Sequence, residues 1–101
     1  MTSKKKVVYL FLNKETNYIK VGVTKDVTNR KRTLERQSGC KLTVLFTSHY
    51  INQSLLVESS FKKYFRLSKT EGEYFNISID VALNTLQYIL QNLYTIHAEN
   101  L

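Results

Sequence analysis

The amino-acid sequence predicts a small α+β domain in which a mixed sheet of three to four strands is flanked by helices. The chain has 101 residues, a length that suits one domain with one core. Two β-rich segments near its start are separated by a short polar turn, which is typical of a hairpin. Helical and extended patterns then alternate, so the predicted order of elements is ββαβαβα.

The predicted hairpin strands are residues 7–12 and 18–24. Side chains alternate between the two faces of a strand, so the pairing register decides which residues share a face. In one register Leu12 pairs with Asn17. Tyr9 then lies opposite Lys20, whereas a slip of one residue puts these two side chains on opposite faces. Both registers are compatible with the sequence.

A helix and a third strand are predicted next. Asp26 or Thr28 can accept hydrogen bonds from free backbone N–H groups and so begin the helix. The helix is predicted to run to about Gln37, where Gly39 can adopt the left-handed conformation that ends it. Residues 42–50 read as the third strand.

The second half of the chain is predicted to contain two helices around a short strand. The predicted helices run from Asn52 or Ser54 to about Arg66, and from Asp80 to about His97. Residues 73–77 are predicted to form the fourth strand. We assign residues 1–101 to one domain, with a core at about 7–77 and a C-terminal helix at about 80–97.

Charge is the most informative feature of the composition. Fifteen lysine and arginine residues against eight aspartate and glutamate residues give a formal net charge of +7. Such a field favours polyanions, with nucleic acid first and acidic membranes second. A generically basic soluble protein is the alternative.

Several classes of protein are not indicated by the sequence. The single Cys40 cannot form an internal disulfide. The longest apolar runs are too short for a membrane span, and the apolar stretch at 7–12 is too short for a signal peptide. We therefore expect a cytoplasmic protein of a bacterial or virus-infected cell, without a membrane partner.

Arg30 breaks the pattern of the first predicted helix. Val27, Arg30 and Leu34 lie at i, i+3 and i+7 and share the face that should meet the core. Arg32 and Arg36 lie on the opposite face. A guanidinium at the edge of an apolar stripe must be paired or must face a polar pocket. Alternatively, its stem covers the core while its head reaches water.

Glu58 lies beside the apolar stripe of the second predicted helix. A carboxylate is the hard oxygen ligand that Mg²⁺ prefers, and one or two carboxylates with water and phosphate suffice for such a site. A surface ion pair with Lys62, four residues later, is the alternative. His49 and His97 are isolated, so no zinc site is indicated.

Basic residues concentrate around the first two helices. The candidates for contact with DNA phosphates are Lys25, Lys31, Arg32, Arg36, Lys62, Lys63, Arg66 and Lys69. A solvated helix surface explains the same residues equally well.

These landmarks together resemble a known family. They are residues 7–9 ending in Tyr9, residues 20–22 ending in Gly22, Arg30, Glu58, and residues 72–75. In this order and spacing, from about residue 7 to 77, the chain resembles the GIY-YIG endonuclease superfamily, particularly its compact phage-type branch. Val7 and Lys20 replace the first glycine and the second tyrosine of the name-giving pattern. Lys62 stands where some compact members have histidine.

The resemblance implies a metal-dependent endonuclease that hydrolyses DNA phosphodiester bonds. Glu58 would bind Mg²⁺ or Mn²⁺, and Arg30 would hold the phosphate and offset transition-state charge. Tyr9 would position or deprotonate the attacking water, with its pKa lowered by Lys20. Gly22 would let the DNA backbone approach the sheet.

Two other functions are compatible with the sequence. A non-catalytic nucleic-acid-binding module would have the same fold and basic surface. A small interaction protein would use the last helix, where Leu83, Leu90 and His97 form a row that could join a weak homodimer. Neither the DNA target nor the biological role follows from the residues.

Overall fold

The sheet has three antiparallel strands with the first strand in the middle. In a computed structural model, which describes residues 5–93, the strands are β1 (Val7–Asn13), β2 (Ile19–Thr24) and β3 (Leu42–Thr47). Their order across the sheet is β2-β1-β3. The helices are α1 (Val27–Ser38), α2 (Ser54–Tyr64) and α3 (Ile79–Gln91), and a 3₁₀ turn at Arg66–Ser68 follows α2.

The α+β class is confirmed, but the mixed sheet and the order ββαβαβα are not. The described elements follow the order ββαβαα, because the predicted fourth strand at 73–77 does not form. Only Phe75 pairs with the sheet, exchanging two backbone hydrogen bonds of 2.7 and 2.9 Å with Ile19. The backbone N–H of Thr70 donates to the carbonyl of Tyr74, so the chain closes a tight loop instead of extending.

The boundaries of α1 agree with the sequence. The Asp26 carboxylate accepts a hydrogen bond of 3.0 Å from the backbone N–H of Asn29, which caps the helix. Gly39 ends the helix with a φ of 73°, a conformation that glycine adopts without steric cost. Both signals are local, which is why the sequence reveals them.

Other boundaries differ from the predictions. Ser78, not Asp80, caps α3 by accepting from the N–H of Val81, and Asp80 lies in the first turn. The second helix ends at Tyr64 rather than Arg66, and β3 ends at Thr47 rather than residue 50. The predicted end of the last helix at His97 lies outside the described residues.

One face of the sheet, called here the apolar face, packs against α2 and α3. Its strand residues are Val8, Leu10, Ile19 and Val21, and the helices add Val57, Phe61, Ala82, Leu86 and Ile89. All of these side chains are buried. Phe75 joins this cluster, and its ring meets the ring of Phe61 edge to face at 6.1 Å. The apolar face therefore contains most of the core.

The other face, called here the site face, packs against α1. Tyr9, Phe11 and Leu42 form a small buried cluster there, and Val27 and Leu34 of α1 cover it. The apolar stripe that the sequence predicts for this helix is therefore the side of α1 that packs against the sheet.

The hairpin register puts Tyr9 and Lys20 on the same face of the sheet, as one of the two predicted alternatives requires. Tyr9 pairs with Gly22, and Phe11 pairs with Lys20. The register differs by two residues from the one considered in the sequence, because Leu12 pairs with Ile19 rather than Asn17. A shift of two residues preserves the face of every side chain.

Candidate functional site

Tyr9 lies at the centre of the site face. Its side chain is almost fully buried, and its ring stacks on Phe11 with 4.1 Å between the centroids. Burial raises the pKa of Tyr9 above its ordinary value of 10.0, although the hydrogen bond and charge of Arg30 oppose the shift. The hydroxyl is therefore protonated at neutral pH.

Gly22 makes room for the Tyr9 ring. A Cβ atom at this position would collide with Oη, Cζ and Cε2 of Tyr9. The backbone conformation of Gly22 does not require glycine, so the close approach of the ring is the reason for it. The structure thus gives Gly22 a packing role, and its contact with DNA stays a prediction.

Arg30 is half-buried, and its guanidinium is close enough to the Tyr9 hydroxyl to oppose the rise in the pKa of Tyr9. Its neighbours on the helix stripe, Val27 and Leu34, pack against the cluster below. The half-burial of Arg30 beside Tyr9 agrees with the first of the two alternatives, a guanidinium next to a polar group. Arg32, two residues later, is exposed.

Lys20 is buried, with 6% of its surface exposed, and its ammonium is paired with Glu73. The distance from Nζ to Oε2 is 2.6 Å, and Nζ also lies 5.9 Å from the centre of the Tyr74 ring. The prediction that Lys20 lowers the pKa of Tyr9 is wrong. The pKa is raised by burial, Arg30 is the cation that opposes the shift, and the ammonium of Lys20 is bound to Glu73.

Glu73 joins the site from the loop after the 3₁₀ turn. The hydrogen bond and charge of Lys20 hold the pKa of Glu73 below its ordinary value of 4.5, and Lys62 and Arg30 add to the effect. Its carboxylate is therefore ionised at neutral pH. Sequence analysis included Glu73 only within the 72–75 landmark and did not foresee its pairing with Lys20, because the two residues are 53 positions apart.

Glu58 reaches the site from α2, which packs against the edge strand β2. Its side chain is 21% exposed, and its charge raises the pKa of Tyr9. The Lys62 ammonium lies 3.9 Å from its carboxylate, a contact too long for a hydrogen bond. The Glu58–Lys62 ion pair anticipated from the spacing is thus present but loose.

A divalent metal at this site would have to take most of its ligands from water or substrate. Within residues 5–93, no group of three or more histidine, cysteine, aspartate or glutamate side chains could hold a metal. A single half-buried carboxylate such as Glu58 suits Mg²⁺, which commonly retains several waters and binds substrate phosphate.

Five of the eight predicted DNA-contacting lysines and arginines line two clefts. Lys62, Arg66 and Lys69 line a cleft of about 240 Å³ together with Glu73 and Phe75. On the α1 side, Arg32 and Arg36 line a second cleft of about 310 Å³. Lys25 and Lys63 are exposed outside the lining of these clefts, while Lys31 is half-buried and pairs with Glu35 at 3.2 Å.

Sequence analysis assigned no role to Lys41, Tyr74 or Asn13, although Tyr74 lies within the 72–75 landmark. Lys41 lines the second cleft. Tyr74 packs against the Tyr9 cluster, and burial raises its pKa while Asn13, within hydrogen-bonding reach, opposes the shift. Asn13 is buried at the hairpin turn, where its side chain accepts from the N–H groups of Glu15 and Thr16. An asparagine at the start of a tight turn was the available signal.

Two of the three residues in the row considered for a homodimer pack against the core of the same chain. Leu83 and Leu90 are half-buried and pack against the core of the apolar face. The third member, His97, lies outside the described residues. None of the helices in the described part of the chain is long and apolar enough to cross a membrane.

Comparison with known proteins corrects the family resemblance. No curated protein and no solved structure matches the chain. Residues 6–90 match the model of the T5orf172 domain, a different family from GIY-YIG. Val7 and Lys20 depart from the GIY-YIG pattern, and the other landmarks are two single residues, Arg30 and Glu58, and the short segment 72–75. T5orf172 domains are nuclease-like or nucleic-acid-binding modules of phage type. Since the match covers most of the sequence, the chain belongs to the T5orf172 domain family.

Proposed function

We propose that the chain is a metal-dependent DNA endonuclease whose active site is formed by Tyr9, Arg30 and Glu58 with Lys20 beside them. The observation that carries this proposal is the approach of the Arg30 guanidinium to the buried Tyr9 hydroxyl. An arginine on a surface helix can keep its guanidinium in water at little cost. Arg30 is instead half-buried beside the Tyr9 hydroxyl, and this position indicates a site that binds an anion.

Arg30 binds the scissile phosphate in this proposal. Its planar guanidinium offers several N–H donors in a fixed geometry, which matches the oxygens of a phosphodiester. The packing of Val27 and Leu34 fixes the helix that carries it. Donors held in place before the reaction stabilise the charge that develops in the transition state.

Tyr9 orients the attacking water rather than deprotonating it. Because burial raises its pKa above 10.0, the phenol keeps its proton at neutral pH. A neutral hydroxyl can accept a hydrogen bond from water while it donates one to a phosphate oxygen. Stacking on Phe11 and the close packing on Gly22 hold the ring in place. Lys20 adds positive charge to the same face of the sheet.

Glu58 is the proposed ligand of the metal, with water and phosphate filling the other positions. A bound Mg²⁺ or Mn²⁺ would stabilise negative charge on the leaving oxygen. The loose contact with Lys62, at 3.9 Å, leaves the Glu58 carboxylate available.

DNA is the proposed substrate because of the charge and its distribution. The formal net charge is +7, and two clefts lined by basic side chains lie on α1 and near α2. Contacts from such residues position the phosphate backbone and carry little sequence information. We therefore expect cleavage with weak sequence preference and binding that weakens as salt rises.

The Glu58→Gln variant tests the proposal. The substitution keeps the size of the side chain but removes its charge, so we expect plasmid nicking in Mg²⁺ or Mn²⁺ to be lost while folding and DNA binding persist. Glu71→Gln, the same change at an exposed glutamate, is the control and should still nick DNA. Cleavage at the wild-type rate by Glu58→Gln would contradict the metal assignment. Salt-sensitive binding by a wild-type protein that never cleaves would indicate a non-catalytic nucleic-acid-binding module.

A further inference from the structure

The ion pair between Lys20 and Glu73 joins a buried cation to an exposed anion. Only 7% of the Lys20 side chain is exposed, compared with 74% of the Glu73 side chain. A buried ammonium needs a partner, because its removal from water costs several kcal/mol. A carboxylate on an exposed loop has no such need. Lys20 therefore needs an anionic partner, but that partner need not be Glu73.

Three cations from three elements act on the Glu73 carboxylate. Lys20 of β2 binds it at 2.6 Å, and Lys62 of α2 lines the same cleft as Glu73. The charges of Lys62 and of Arg30 on α1 also favour its ionised form. The Glu73 carboxylate thus lies where these positive charges converge. Convergence of arginine and lysine on one point is how proteins bind phosphate groups.

The Glu73 side chain can leave this position without disturbing the core. Its loop is closed by hydrogen bonds of 2.9 Å from the N–H and hydroxyl of Thr70 to the carbonyl of Tyr74. Residues 71–73 inside this closure are exposed. Phe75, which anchors the loop in the core, lies beyond it. Rotation of the Glu73 side chain alone would release Lys20.

We propose that the Glu73 carboxylate stands in for a nucleic-acid phosphate, so that Lys20, Arg30 and Lys62 form a phosphate-binding subsite that the protein fills until DNA displaces Glu73. This inference rests on the proposed function, for which it names a subsite and its built-in competitor. A competitor weakens binding. Glu73 should therefore oppose DNA affinity, although it lies inside the site.

Glu73→Gln and Glu71→Gln form a matched pair of variants. Both remove one negative charge from the same exposed loop, but only Glu73 is paired with Lys20. A glutamine can still accept a hydrogen bond from the Lys20 ammonium, so the buried charge keeps a partner. The dissociation constant of a fluorescent duplex oligonucleotide is measured without divalent metal, together with thermal unfolding.

Glu73→Gln should tighten DNA binding by roughly tenfold relative to Glu71→Gln, because a neutral amide binds the Lys20 ammonium more weakly than a carboxylate does and so competes less with phosphate. Equal effects of the two variants would overturn the proposal, since general electrostatics would then explain both. Weaker binding by Glu73→Gln would also overturn it, because Glu73 would then support the site instead of competing with its ligand.

A second measurement uses inorganic phosphate and does not depend on cleavage. Phosphate should shift the NMR signal of the Glu73 side-chain carboxyl in the unaltered protein and leave that of Glu71 in place. If the protein binds DNA without cleaving it and phosphate displaces Glu73, the subsite stands and the proposed function fails. If DNA is cleaved while phosphate leaves Glu73 unchanged and the variants bind alike, the function stands and the subsite fails.

Discussion

The two faces of the sheet are built from alternate residues of the same strands, yet they have opposite character. The apolar face contributes Val8 and Leu10 from β1 to a cluster of buried hydrophobic side chains. The site face contributes Tyr9 and Phe11 to a small cluster whose neighbours include Lys20 and Arg30. Burial on the apolar face removes hydrophobic surface from water, which stabilises the fold. Burial on the site face removes polar groups from water.

This difference separates stability from chemistry within one hairpin. Side chains on the apolar face contribute through the area that they remove from water. Buried polar groups on the site face contribute little net stability, because their interactions offset the cost of desolvation. Substitutions on the two faces should therefore affect different measurements.

The largest expected effect on stability is on the apolar face. Phe61 is fully buried and contacts the rings of Phe65 and Phe75. Phe61→Ala should lower the free energy of unfolding by about 3–5 kcal/mol, through lost transfer energy and a cavity. Leu67→Ala is the control, because Leu67 is 93% exposed and should change stability by less than about 0.5 kcal/mol. Denaturant unfolding measures both. Similar losses for the two variants would refute the assignment of the core.

A substitution of Arg30 on the site face should affect the cleavage rate rather than stability. Arg30→Ala should reduce the cleavage rate by about 10²–10³-fold, the usual effect of removing a donor to the transition state. Arg32→Ala removes the same charge from the exposed side of α1 and should have a mild effect. Single-turnover cleavage under matched conditions compares them. Equal reductions would mean that Arg30 is one more contact to the phosphate backbone.

A substitution at Gly22 should affect both stability and cleavage. Gly22→Ala forces a Cβ into the Tyr9 ring, which is held by its stacking on Phe11. Overpacking of this kind should destabilise the protein by about 1–3 kcal/mol and displace the Tyr9 hydroxyl, so cleavage should fall as well. Gly72→Ala is the matched control, because no atom lies within 4 Å of its added Cβ. Normal stability and cleavage for Gly22→Ala would show that the site face is loosely packed.

The smallest expected effect concerns pH and Glu35 on α1. The hydrogen bond from the backbone N–H of Leu42, followed by that from Lys31, holds the pKa of Glu35 below its ordinary value of 4.5. A lowered pKa means that this contribution is present above pH 4.5 and is lost as pH falls through the value in the folded protein. The stability of Glu35→Gln should therefore depend less on pH in this acid range. Unfolding measured between about pH 6 and pH 3 provides the comparison, and parallel curves would contradict it.

Features fixed by neighbouring residues could be predicted from the sequence. Asp26 and Gly39 bound α1 through hydrogen bonds and a backbone conformation that depend on a few adjacent positions. The face of Arg30 follows from helix periodicity. The shared face of Tyr9 and Lys20 was one of two alternatives, because periodicity gives alternation but not register.

Features that depend on distant residues could not be predicted. Lys20 and Glu73 are 53 positions apart, so nothing local indicates that the lysine is paired. The upward shift in the pKa of Tyr9 could not be predicted either, because it results from burial beneath α1, whose Val27 and Leu34 are not close to Tyr9 in sequence. Residues 73–77 have a strand-like composition, but the turn closed by Thr70 and Tyr74 leaves only Phe75 in position to pair.

The central position of β1 has a consequence for how the protein opens. Its backbone bonds to β2 on one side and to β3 on the other, and both clusters of buried side chains include its residues. No partial opening of either outer strand exposes all of its amides. Hydrogen exchange of β1 should therefore occur only through global unfolding, and its slowest amides should report the stability of the whole fold.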